Sequence, residues 1–324
     1  MSNVAPQFNF KRRRGPLPII VGALFAIGVA LVSMSGFYAD WLWFKSVDFT
    51  SVWSTVLMTK IALFFAAGLI TAVLVLFNIV IAYKRRPLFV PLTIEADNLE
   101  RYRAQIEPIK RWVVIGLGFA LFYFAGTSGS SLWSTWLLFK NSTEFGVKDP
   151  QFNMDISFFA FRLPFWQTLI AWGISTLVLA IIASAIVHYL YGGIRLQVQE
   201  DRTTVAARVQ LSVLLGGVVL LKAVAYWFDR YALALKDSKL ITGLTYTDVN
   251  AVLPAKAILA AIAVVCALLF FANIARRSWV LPAAGTALLV ISSVLIAGIY
   301  PGAIQQFQVK PSESSKLSRV KGGF

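Results

Sequence analysis

The chain reads as an all-α, polytopic membrane protein with seven transmembrane helices and interfacial helices on the outer side. Three observations carry that reading. Of 324 residues, 58% are hydrophobic and only 14% charged, where a soluble globular domain has about 25% charged residues. The mean hydropathy is +0.72, and the apolar residues gather in runs of about 20, the length that crosses a bilayer core. Basic clusters recur at alternate run ends, as the positive-inside rule requires.

The same composition removes several functions. A net charge of +15 would point to nucleic acid in a soluble domain. Here the topology accounts for it, so the expected partner is the lipid bilayer and not nucleic acid. The single cysteine, Cys266, allows no intrachain disulfide, and with one histidine, His188, a His/Cys zinc site is excluded. No cofactor and no metal are expected. There is no Walker A, HExxH or G-x-S-x-G pattern, and Gly116-Leu117-Gly118 lies inside an apolar run, not in a dinucleotide loop. No catalytic residue is assigned.

Residues 1–16 are polar and hold Lys11-Arg12-Arg13-Arg14, a cytoplasmic N-terminus. A membrane domain over residues 17–300 follows, with spans at about 17–37, 56–83, 112–127, 165–191, 211–228, 255–274 and 279–300. The first run is too long for a signal-peptide core, and Gly22, Ala26 and Ala30 form a small-residue packing stripe along it. Asp40 to Phe44, with two tryptophans, is an interfacial belt. Lys84-Arg85-Arg86-Pro87 marks the inside, and a short helix is expected over Glu95–Gln105 of the following loop. Ser131–Phe139 has the spacing of a helix lying in the outer interface. Phe145 to Pro150 is a turn, and Phe158 to Phe161 brings the chain back towards the membrane. Pro301-Gly302 stops the last span, and residues 301–324 form an extracytoplasmic tail. The segments assigned to the inside hold 16 basic residues against seven in the outer connections. This places the protein in the cell membrane with its N-terminus cytoplasmic and its C-terminus outside.

Several pieces in order resemble one family of bacterial membrane proteins. They are Asp40 to Phe44 with Ser46-Val47, Phe145-Gly146 with Lys148 to Phe152, Asp155 to Phe159, Asp229-Arg230-Tyr231, Thr245 to Asn250 with Leu253-Pro254, and Tyr300-Pro301. Together they cover nearly the whole chain, and the chain is identified as similar to the UPF0182 family, which has no agreed function. The resemblance implies a seven-span region followed by a large extracytoplasmic domain. The basic run from Ser314 to Phe324 departs from that pattern, so the tail reads as cut short by truncation, a split gene or a frameshift.

The candidate functional residues are polar groups within or beside the apolar runs. Lys60, Lys222 and Lys256 lie towards the external side. Their simplest account is snorkelling to the headgroups. The sharper one pairs them with Asp229, Asp248 or Asp40 at an outer vestibule that binds an anionic group. Lys222 is the deepest, and it precedes Asp229 by seven residues, two helical turns. Asp149, Asp155 and Asp248 read first as turn or cap residues and second as a paired-carboxylate or cation site. His188 reads as interfacial, and Asn78 as glue between helices.

Three functions follow in order. The first is a membrane anchor or scaffold for an extracytoplasmic domain or envelope protein. The second is a transporter or channel for an anionic or lipid-like solute, with a vestibule around Lys222. The third is a membrane enzyme acting on envelope substrates.

Overall fold

A computed structural model describes residues 17–87, 94–195, 202–237, 243–276, 280–309 and 311. Among these the chain is helical, with isolated bridges at Lys148–Asp155 and Ile194–Thr203. The contacts divide it into two compact units, Met1–Thr59 and Lys60–Phe324. Among the described residues six helices are long and apolar enough to cross a membrane, against the seven expected. The first expected span falls in α1, Leu17–Ser46, which is not among the six; several of its side chains lie outside the described residues.

Within the first unit, α1 runs through the aromatic belt without a break. Its Phe37 ring meets Trp53 edge-on at 4.9 Å. Asp48, in a left-handed turn with φ 58°, reverses the chain into α2, Thr50–Lys84. A Cβ added at Gly22 would touch nothing within 4 Å, so that residue of the expected stripe packs against no described atom. The basic cluster Lys11–Arg14 lies outside the described residues.

The second unit is the helical bundle. Its elements are the rest of α2, then α3 (Ile94–Ile106), α4 (Lys110–Ser130), the short α5 (Trp133–Lys140), α6 (Leu163–Leu190), α7 (Val205–Ala232), α8 (Leu253–Arg276) and α9 (Val280–Ser292). Both expected short helices therefore exist, as α3 and α5. The core gathers where α2, α6 and α7 meet, around Val75, Ile79, Ala180 and Leu214. Helices apolar enough to cross a membrane would gain no hydrophobic drive between them in lipid, so a bundle of this kind relies on close van der Waals packing and internal hydrogen bonds.

The sequence meets that demand with small residues. Gly68 of α2 lies against Phe122, and Gly126 and Gly129 of α4 lie against Phe64 and Ala67. Along α8 the buried face runs Ala255, Leu259, Ala260, Ala263, Cys266, Ala267, Phe270 and Asn273, and α7 packs along it. Gly216 of α7 leaves room for Phe270 and Phe271. Hydrogen bonds add to the packing: Asn273 Nδ2 donates to Ser212 Oγ at 2.7 Å, and the Thr71 and Thr176 hydroxyls lie 3.4 Å apart.

The last helix departs from the expected stop at Pro301-Gly302. After α9, a π-helical stretch covers Ser293–Ile299 and a helical turn, α10, covers Tyr300–Ile304. A further π-helical turn spans Gln305–Val309. Pro301 follows closely on the Ser293–Ile299 stretch, and the backbone stays helical into it, with Ile299 at φ −80°, ψ −44° and Tyr300 at φ −60°, ψ −49°, so the helix continues past the proline. The basic tail from Ser314 lies outside the described residues.

The α2–α4 contact gives a direct test. A Cβ at Gly129 would fall 2.4 Å from Ala67 Cβ and 2.9 Å from Leu63 O, whereas one at Gly116 would meet nothing within 4 Å. Gly129→Ala should cost about 1–3 kcal/mol through overpacking, lowering the midpoint of thermal unfolding in detergent. Gly116→Ala should match or slightly exceed the parent, because alanine favours the helix by about 1 kcal/mol.

Candidate functional site

Lys222, Tyr226 and Asp229 follow one another on α7 at steps of four and three residues, which places them on one face. The close approach of α8 brings Lys256 to the same face. Its Nζ lies 2.9 Å from Asp229 Oδ2, with both side chains partly buried. One ring lies between the two lysines: Lys222 Nζ is 5.0 Å and Lys256 Nζ 5.9 Å from the Tyr226 centroid. The neighbouring Arg230 stacks on Trp227 at 4.4 Å. Lys222 makes its cation–π contact with an exposed side chain, and it has no carboxylate within salt-bridge distance among the described residues.

Beside this patch, Asp248 is 1% exposed, and its bonds among the described residues are local or ionic. Its Oδ1 accepts from Lys236 Nζ at 2.8 Å. Its Oδ2 accepts from the backbone N–H of Thr245 at 3.0 Å and from the Thr245 hydroxyl at 2.6 Å. The Thr245 hydroxyl oxygen accepts in turn from Asp248 N–H at 3.2 Å. This is a reciprocal capping arrangement, and it starts the π-helical turn Asp248–Val252 that leads into α8. Asn250 donates back to Tyr246 O, and Thr247 donates to Gln305 of the last helix.

The two other carboxylates build the loop between α5 and α6. Asp149 Oδ1 accepts from the N–H groups of Gln151 and Phe152 at 3.0 and 2.7 Å. Asp155 accepts from Phe145 N–H at 3.1 Å, Gly146 N–H at 2.9 Å and Ser157 N–H at 2.8 Å. Hydrogen bonds from the side chain and backbone of Ser157, then from Phe145, hold the Asp155 carboxyl down to about 2. Rings then tie this loop to α7, since Phe152 and Phe158 pack edge-on against Tyr231 at 5.1 and 5.4 Å. Among the described residues Lys60 pairs with no acid; its Nζ lies 5.4 Å from the Trp133 centroid.

The structure thus gathers Lys222, Asp229 and Lys256 around Tyr226 and gives Asp248 its own partner in Lys236. Asp149 and Asp155 belong to the turn of another segment. Among the described residues no group of three or more His, Cys, Asp or Glu side chains is placed to hold a metal ion.

His188 corrects the interfacial expectation. It is 1% exposed, because it continues the buried line of Ala180 and Ser184 along α6. Gln210 of α7 organises this interior. Its Nε2 donates to Asn78 O at 2.9 Å, with Asn78 Oδ1 and Ser184 Oγ each at 3.3 Å. Its Oε1 therefore accepts from His188 Nε2 at 3.0 Å. Asn78 acts as the expected glue, with Gln210 as its partner across the helices.

A further cluster, absent from the sequence expectations, lies at the opposite end of the bundle. Glu107 accepts from Lys110 Nζ, from Tyr83 OH at 3.1 Å and from Tyr191 OH at 3.2 Å. The Lys110 bond is the main cause that keeps the Glu107 carboxyl below its ordinary value. Burial, then the Glu107 charge, pushes the Tyr191 hydroxyl up. The signal available beforehand was the spacing of Glu100, Arg103, Ala104 and Glu107 at i, i+3, i+4 and i+7, one face of α3.

The ion pair on α7 and α8 can be tested by a mutant cycle. Asp229→Asn or Lys256→Met alone should each cost about 1–2 kcal/mol, between the values for exposed and buried pairs. The double variant should lose less than the sum of the two. Thermal unfolding in detergent measures it, and strict additivity would show the two groups to be independent.

Comparison with known proteins agrees with this architecture in extent. The profile of the uncharacterised protein family UPF0182 matches residues 17–319. A UPF0182 protein of Streptomyces coelicolor is 48% identical over 310 residues, which is 94% of this chain and 31% of that protein. One from Nocardioides sp. is 47% identical over 305 residues, 94% of this chain and 30% of its own length. One from Thermobifida fusca is 42% identical over 309 residues, 95% of this chain and 30% of its own. The chain thus spans under a third of the length of these relatives. No solved structure matches. With the family profile covering all the described helices and this level of identity across bacterial species, the chain belongs to the UPF0182 family.

Proposed function

We propose that this chain is a membrane-embedded anchor that holds an extracytoplasmic domain or envelope partner and performs no catalysis of its own. In this reading α1 supplies a seventh crossing. The N-terminus is cytoplasmic, and the end where α7 passes to α8 faces out of the cytoplasm, in the cell membrane. The observation that carries it is how the charges at that end are used. Asp229 is neutralised by Lys256 and Asp248 by Lys236, so the acids fix helix ends instead of lining a passage. A rigid, self-neutralised end suits a platform on which further polypeptide is carried. The matched segment is under a third of each relative named above, and the rest of such a protein would be the cargo.

One observation favours transport as a second reading. Lys222 keeps an exposed ammonium beside Tyr226, a feature that could draw an anionic or lipid-like solute to this end. Proteoliposomes holding the chain separate the two. The anchor should give no anion flux above empty vesicles, and Lys222→Met should change nothing. A flux abolished by Lys222→Met would overturn the anchor in favour of transport.

Orientation has its own measurement. Cys266 is buried, so an impermeant maleimide should see only introduced thiols. On intact cells Glu144→Cys and Tyr246→Cys should label, while Tyr102→Cys should label only after permeabilisation. The inverse pattern would reverse the proposed topology.

A further inference from the structure

A cavity of about 490 Å³ opens at the end of the bundle opposite the ion pairs, lined by Arg86, Pro87, Glu100, Arg103, Ala104, Glu107 and Tyr191. Its volume lies within the range of small-molecule sites, and its walls come from three elements. Arg86 follows the last turn of α2, Tyr191 caps α6, and α3 contributes the face that runs from Glu100 to Glu107.

The charges in this cavity are not equally occupied. Glu107 is held by Lys110, Tyr83 and Tyr191, so its charge is balanced inside the wall. Glu100 is exposed at the rim. Arg86 stacks its guanidinium on Tyr83 at 4.4 Å and faces Tyr191 at 5.4 Å. It has no carboxylate partner among the described residues. Arg103 commits Nε to Leu190 O, the last carbonyl of α6, and its guanidinium faces the Tyr191 ring at 5.8 Å. Among the described residues its Nη2 has no hydrogen-bond partner. Two guanidiniums with no carboxylate partner among the described residues therefore stand in one cavity wall.

We propose that this cavity binds a phosphate group, with the stacked Arg86 guanidinium and the Arg103 guanidinium beside it as its donors. Guanidinium forks match phosphate oxygens in pairs, and stacking on tyrosine fixes the plane of Arg86 before the ligand arrives. The phosphate has two sources, a lipid headgroup or a free phosphate compound. The lipid source rests on the membrane reading above, since the cavity lies at the ends of α2 and α6, where headgroups would be, and basic pockets between helix ends bind such groups. The free source does not depend on that reading.

Native mass spectrometry of the full chain in detergent tests it, with phosphatidylglycerol, phosphatidylcholine and inorganic phosphate as separate probes. Phosphatidylglycerol or phosphate should bind, and Arg86→Gln should weaken that binding roughly tenfold or more, the cost of one charge-assisted contact. Arg85→Gln, which changes the same net charge outside the cavity, should leave it unchanged. Arg103→Gln should weaken binding at least as much, and because it also frees the Leu190 carbonyl, its thermal midpoint is read alongside. Binding of the lipid that phosphate fails to displace assigns the headgroup, and Arg86-dependent binding of phosphate assigns the free compound. Failure of all three probes to bind, or an equal loss in the Arg85 and Arg86 variants, would overturn the site. Either failure leaves the anchor reading untouched, since that depends on flux and topology.

Discussion

The close approach of α7 and α8 is the constraint on which the rest depends. It exists because one face of α8 is mostly alanine and because Gly216 gives Phe270 and Phe271 room against α7, where a Cβ would come within 2.9 Å of the Phe271 ring. Lys256 can reach Asp229 only because the helix axes lie this close. The same seam places Asn273 against Ser212. Widening it by one methyl would strain the packing and pull the ion pair apart together, so packing and electrostatics here are one device.

Charge in an apolar helix is tolerable when a partner is supplied locally, and the two ends of the bundle solve this differently. At the α7–α8 end Asp229 and Asp248 are each matched to one lysine, and Asp248 doubles as a helix cap through Thr245. Aromatic faces take up three further cations, Tyr226 for Lys222, Trp227 for Arg230 and Trp133 for Lys60. At the other end a single carboxylate, Glu107, gathers two tyrosines and a lysine, while the nearby guanidiniums rest on rings or backbone.

The helices were legible because hydropathy and length are properties of local sequence. The same holds for α5, whose spacing already marked a helix. Asp149 and Asp155 were legible as turn residues, since their partners lie within ten positions. Which lysine met which acid was not legible, because Lys222 and Lys256 look alike in sequence and only the register of α8 against α7 gives Asp229 to Lys256. His188 was misplaced for a related reason. Its neighbours Tyr189 and Tyr191 suggested an interface, but the side chain follows the Ala180–Ser184 line into the interior, where Gln210, 22 residues on, receives it. The helix through Pro301 depended on its position in a turn preceded by π-helix, which composition does not disclose.

These two arrangements imply different roles for arginine and lysine in one fold. A lysine ammonium is a point charge and can be neutralised by one oxygen, so Lys236 and Lys256 are used where a helix end must be fixed. A guanidinium has more donors than one backbone carbonyl can satisfy, so Arg103 retains capacity after bonding to Leu190 O. Where the bundle needed only rigidity, the pairings close on themselves. Where the arginines stand, the described residues leave guanidinium donors without a carboxylate partner. That asymmetry is why the α7–α8 end is read as platform and the opposite cavity as a binding site.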